Sequence, residues 1–384
     1  MVHYRAPGVY REDVYPSPEP SLSTGVPVFA GYTVRGAFNA ARRLTMWPQF
    51  ATEFGGAPAD GYLDDAVQGF FDNGGLVCYV VRLNEAELPL LALSHGLAAT
   101  AELNEVDLVC APDVMRGISL VDEPDPGVVI GLQAEVLAHC RLVGGRFAIL
   151  DGVPTADLEL VERQRAALHG EDGALYFPWL WTPGRAREPA YLPPCGHLAG
   201  VYARTDRSVG VHKAPANEVL QGVLDLRTDL GVDAVGRLFD AGINCLRAQP
   251  GRGIRVWGAR TLSDDTAWRQ IGARRVFLTV RRWLERFMDR LTYEPNDVRL
   301  WVRIMRETAG YLDDLFQSGA LHGRSPDEAF FVKCDGETND RSTVDAGSVV
   351  TLVGLALSAP AEFVVARIVH GATGVTVHPA SATV

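Results

Sequence analysis

The chain has 384 residues, 47% of them hydrophobic and 22% charged, a globular balance suited to two or three domains or one large domain carrying an insertion. A net charge of −11 argues against nucleic acid as a partner unless the basic residues gather on one face. No apolar run reaches the ~18 residues of a spanning helix, and the opening MVHYRAPGVY lacks the regions of a secretory signal, so synthesis in the cytoplasm without direct membrane insertion is expected.

Residues 1–25 carry Pro7, Pro16, Pro18 and Pro20 and little that builds a core, which predicts an extended N-terminal arm. VPVFAGYTV (26–34) reads as the first buried strand, and WPQFATEFGG and YLDDAVQGFFDNGG as short helices. LVCYVVRL (76–83) is nearly continuous in apolar residues, as a strand covered on both faces requires. From about 97 to 182 strands and helices alternate, which implies βαβ units and a parallel sheet. Residues 183–215, rich in proline and glycine, read as a long surface connection.

A long helix is expected from Ser263 to about Leu291, with Phe277, Val280, Leu284, Phe287 and Leu291 forming its buried stripe. The arginines between Arg247 and Arg306 read mainly as a solvated, ion-paired face. A second helix spans about Asp297 to Gln317; AFFVKC, SVVTLVGLALS and AEFVVARIV are strands. The polar, β-branched tail 371–384 has no evident place in its own chain, which predicts a second extended arm flanking a core of 26–370, whose last part (about 256–370) is a helix–strand region.

Chemistry is sparse. The six cysteines (Cys78, Cys110, Cys140, Cys195, Cys245, Cys334) form no CxxC pair and read as buried free thiols; the nine histidines form no HxxxH, so neither a metal site nor a cofactor is expected. Asp113 and Asp151 each follow an apolar strand, where open α/β sheets bind ligands, and a magnesium-dependent hydrolase uses such pairs. The same residues also serve as turn and cap groups. PGRGIRVWG matches no phosphate-binding pattern and reads as a strand-to-helix turn. In VWGARTLSDDTAWRQIGARR, Asp264 and Asp265 fall in the first turn of the expected helix and complement its dipole, and Arg260 is expected in a structural ion pair.

APGVY (6–10), VFAGYT (28–33), FFDNGGLVCYVVR (70–82), YFPWL (176–180), GVYARTDRSVGVHKAPAN (200–217), INCLR (243–247), VWGARTL (256–262), GALHGRSPDEAFFVKCDGETN (319–339) and PAEFVVARI (360–368) occur in an order that resembles the tail sheath protein of contractile phage tails and contractile injection systems. His212 and Cys195 depart from the family's aromatic and serine at those positions, and the short connection at 84–100 resembles the minimal sheaths of R-type pyocins and extracellular particles. A single chain here carries the motifs that the type VI secretion sheath divides between two.

The resemblance implies a mixed α/β sheath core whose arms, with Val9, Tyr10, Val14, Tyr15, Val375, Thr376, Val377 and His378, add strands to neighbouring subunits. It implies a non-enzymatic subunit that polymerises helically with itself around an inner tube protein, meets baseplate and terminal cap proteins, and contracts from a metastable extended state. The finished particle would be released by lysis. Arg303, Arg306, Gln317, His322 and Arg324 are the implied tube contacts; Trp257, Gly258, Arg260 and Thr261 are a structural signature. Removing 1–20 or 371–384 is expected to abolish polymers and leave a folded monomer. The two other readings are the Asp113/Asp151 hydrolase and a non-contractile tail or baseplate component of the same fold.

Overall fold

The computed structural model describes residues 22–118, 125–183, 191–359, 362–371 and 374–380. The first layer is built from β1 (Pro27–Gly31), β2 (Arg42–Leu44), α1 (Pro48–Phe54), α2 (Leu63–Asp72), β3 (Cys78–Arg82), α3 (Pro89–Ala98), β4 (Leu108–Cys110), α4 (Gly127–Val143), β5 (Phe147–Asp151), α5 (Leu158–Ala166) and β6 (Gly173–Phe177). A small sheet of β7 (Leu180–Trp181), β8 (Tyr191–Leu192) and β9 (Asp225–Leu226) brackets α6 (Cys195–Ser208). After α7 (Val232–Asp240), β10 (Asn244–Gln249) and β11 (Gly253–Trp257) complete the main sheet.

That sheet runs β11-β10-β6-β5-β4-β1-β3-β2, parallel except for the antiparallel edge strands β2 and β11. Its central strands are buried along their whole length because both faces are covered. Successive residues of β1 face opposite cores: Val28 and Ala30 belong to the core that holds Leu93 and Val136, while Phe29 belongs to the one that holds Phe70 and Tyr202.

Residues 183–215 are not a surface connection. Pro194 caps α6, which is buried along most of its length. Its glycines, a loop signal by composition, permit a close helix crossing: a Cβ on Gly196 would lie 2.2 Å from the Ala66 carbonyl oxygen, and one on Gly200 2.5 Å from that of Phe70. PGRGIRVWG likewise forms a β10–β11 hairpin, with Arg252 N–H donating to the Gln249 carbonyl.

The second layer holds α8 (Ile271–Asp289), α9 (Val298–Gln317), α10 (Pro326–Ala329), β12 (Phe330–Lys333), α11 (Arg341–Asp345), β13 (Val349–Ala356), β14 (Phe363–Gly371) and β15 (Gly374–Ala380). The strands form one antiparallel sheet in the order β12-β13-β14-β15. Asp297 caps α9 by accepting from the Arg299 and Leu300 amides. The expected stripe of α8 is buried against this sheet, while Ile271 and Leu278 enter the core of the main sheet. One helix therefore belongs to both cores.

Helix α8 starts eight residues later than expected. The Leu262 amide donates to the Gly173 carbonyl and Ile271 to Ala259, which folds the intervening segment into a turn beside β6. Asp264 and Asp265 belong to that turn, Asp265 accepting from the Ala267 amide. The tail is also placed otherwise than expected: residues 374–380 pair antiparallel with β14 of their own chain, with Val377 buried and Thr376 and His378 exposed.

Candidate functional site

Both ends of the described core meet at one cleft of about 860 Å³ between the layers, lined by Leu22 and Ser23 on one side and Val375 on the other. The N-terminal end is fixed by charge. Asp107 accepts from the Gly25 and Val26 amides at 3.0 and 2.7 Å. Arg282 of α8 donates to the Ser23 carbonyl at 3.1 Å and to those of Asn104 and Glu105.

Behind this anchor Arg275 holds two carboxylates. It donates to both oxygens of Asp206 at 2.7 and 2.6 Å and to Asp107 at 2.9 Å, and its guanidinium stacks 4.9 Å from the Tyr202 ring centre. All three charged side chains are buried. Burial alone pulls the Arg275 guanidinium down, and Asp206 and Asp107 more than reverse this, holding it above its ordinary value. Arg274 pairs with Asp172 at 2.9 Å in the same way. Arg274, Arg275 and Arg282 are thus not a solvated face. They form a second buried face of α8, and their side chains tie the two layers together.

The VWGARTL signature closes the end of β11. A Cβ on Gly258 would lie 2.7 Å from Asn244 Oδ1, and the Asn244 side chain accepts from the Arg260 amide and donates to its carbonyl, both at 2.7 Å. Thr261 is buried and donates to the Trp268 carbonyl; Trp257 stays 39% exposed. Arg260 makes no ion pair among the described residues. Its guanidinium stands 4.5 Å over the Phe239 ring, because the backbone clamp at Asn244 turns the side chain toward α7.

Asp113 and Asp151 lie beyond β4 and at the end of β5, as expected, and both are buried. Asp113 accepts from the Tyr32 amide at 2.7 Å and the Tyr62 amide at 2.5 Å, joining three loops; Asp151 accepts from the Cys195 amide at 2.8 Å, seating α6. Among the described residues no group of three potential ligands converges to hold a metal. The six cysteines are buried free thiols.

Burial pushes the Asp151 carboxyl up to about 7, against the pull of the Cys195 thiol and amide. Its folded value therefore lies above its unfolded one, and the folded state holds the extra proton between about pH 4 and pH 7. Stability from this group is present below that window and lost as pH rises through it, a swing of order 4 kcal/mol. Asp151→Asn, which keeps an acceptor for Cys195, is expected to raise the melting midpoint at about pH 8 and to give no gain at about pH 4. Thermal melts of both proteins across that range check this; a variant less stable than wild type at about pH 8 would contradict it.

The remaining expected contacts are scattered. Val9, Tyr10, Val14 and Tyr15 lie outside the described residues. Arg303 and Arg306 share the exposed face of α9 with Gln317, paired with Glu294 at 3.0 Å and Glu307 at 2.7 Å. His322 and Arg324 follow in the exposed loop, where the Arg324 amide donates to Glu328. No helix among the described residues is long and apolar enough to cross a membrane.

Comparison with known proteins matches residues 96–262 to the model of the phage tail sheath protein central domain. The tail sheath protein of Salmonella phage ViI is 24% identical over 169 residues, which is 43% of this chain and only 26% of that protein's length. The helical sheath of the anti-feeding prophage in its contracted state is 31% identical, with a TM-score of 0.73, covering 93% of this chain and 97% of that one. A PVC sheath complex of an extracellular contractile injection system, also contracted, is 29% identical with a TM-score of 0.74, covering 95% and 97%.

Proposed function

Because this chain belongs to the phage tail sheath family, we propose that it is the repeating structural subunit of a contractile sheath, polymerising helically around an inner tube and shortening to drive that tube forward. The observation that carries this is the likeness over nearly the whole chain to sheaths in their contracted state. The energy for contraction resides in the lattice: the contracted packing must outweigh the lost sheath–tube contacts, and the switch is discrete because packed interfaces are bistable.

The arms fit this role. β15 is an edge strand paired only with β14 among the described strands, so exchanging it with the equivalent strand of a neighbour preserves every ladder bond while linking two subunits. Val375, Thr376, Val377 and His378 are then donated from one copy to the next, and residues 1–21 supply the second link with Val9, Tyr10, Val14 and Tyr15. The exposed face of α9, with Arg303, Arg306 and Gln317, and the loop with His322 and Arg324 are assigned to the tube. Exposed pairs such as Arg306–Glu307 are worth about 0–1 kcal/mol, so an acidic tube can replace the internal partner and be released again.

Baseplate and cap proteins are assigned to the ends of the polymer. The reading gives the chain no catalytic role, since Asp113 and Asp151 spend their acceptors on backbone amides. Negative-stain microscopy of the purified chain with its tube protein is the test. Helical tubes of uniform width in two lengths are expected; discrete particles without tubes would refute the proposal and favour a baseplate component.

A further inference from the structure

Arg165, Arg260 and Arg269 line one small polar pocket of about 160 Å³ between α7 and the turn that precedes α8. Arg165, from the last turn of α5, is buried. Its Nη groups are held by the carbonyls of Leu168 at 3.0 Å and Leu262 at 3.1 Å, and Asp264 reaches it only at 3.5 Å with a side chain 85% exposed. Its Nε is buried without a hydrogen-bond partner, and so is the Nε of Arg260.

Among the described residues no carboxylate pairs with Arg260, and the Arg269 side chain donates to the Asp264 carbonyl alone, at 3.1 Å. Asp240 also lines the pocket, so the wall carries three guanidinium groups against two carboxylates. Buried donors that lack an acceptor mark a missing partner, and desolvation pulls the Arg165 guanidinium down, as expected of a buried cation short of negative charge. A planar guanidinium fork fits a carboxylate or phosphate group in two-point contact.

We infer that this pocket is a receptor for an oxyanion, held by Arg165, Arg260 and Arg269. Two sources carry that chemistry: a carboxylate side chain on a second copy of the chain, and free phosphate. The first source rests on the sheath reading; the pocket does not.

The full-length chain, kept monomeric, is titrated with inorganic phosphate against sodium chloride at matched ionic strength while its melting midpoint is followed. A saturable phosphate binding that raises the midpoint with the logarithm of concentration is expected for wild type. The rise should be lost in Arg260→Gln and weakened in Arg269→Gln, with both variants melting near wild type in chloride. Equal midpoints in the two salts, or a rise unchanged in both variants, would overturn the inference. Tube formation then distinguishes the sources. Suppression of wild-type tubes by phosphate together with their loss in Arg260→Gln assigns the site to a second copy's carboxylate, whereas tubes indifferent to both assign it to the free ion. If wild type forms no tubes, the sheath reading fails while the monomer titration still decides the pocket.

Discussion

Replacing Arg275 by alanine is expected to cost the folded monomer about 3–5 kcal/mol at neutral pH, because it strands Asp107 and Asp206 in the interior without their shared cation. Asp206 shows the direction of the penalty: burial already pushes its carboxyl up even with Arg275 beside it. Without the guanidinium the Asp206 carboxyl favours its protonated form in the folded state, so the deficit should shrink as pH falls toward about 4. Arg275→Lys restores charge but not the two-point geometry and should recover only part of the loss. Urea unfolding at the two pH values decides the matter. A loss below about 1 kcal/mol at neutral pH would mean that the cluster holds neither the arm nor the layers.

The two truncations should part company, contrary to the symmetric outcome the sequence suggests. Removing residues 1–20 leaves Ser23, Gly25 and Val26 in their anchor, so the monomer should melt as wild type does and lose only its tubes. Removing residues 371–384 uncovers the β14 edge and takes buried Val377 out of the second core. That should cost the monomer roughly 3 kcal/mol, in addition to abolishing tubes. Melting curves and micrographs of both proteins test this, and intact tubes from either one would remove the woven-arm proposal.

The parts of the fold legible in the sequence were those whose partners are local or whose pattern is periodic. The apolar run at 76–83, the βαβ alternation, the second long helix at about 297–317 and the α8 stripe all reappear as expected. What escaped was long-range. Arg274 and Arg275 look solvated by composition, yet their carboxylates lie 102, 69 and 168 residues away in the chain, at separations no local spacing reveals. Glycines at 196 and 200 resemble loop residues until the backbone of α2 is set against them. Ser263 with its two aspartates carries a helix-start signal, and the tertiary bond from Leu262 to Gly173 overrides it. The proposed exchange partners of the arms would belong to other copies, which the pattern of one chain's sequence does not record.

The two anchors also differ in how they would bear tension. A pull on the N-terminal arm loads β1 lengthwise between β3 and β4, so bonds on both flanks resist together in shear, backed by Asp107 and Arg282. A pull on the last residues instead peels β15 from β14 at the open end of the hairpin, breaking its ladder one rung at a time. In the proposed lattice such links would give every subunit a strong tether and a yielding one, with the sheet edge opening before the core.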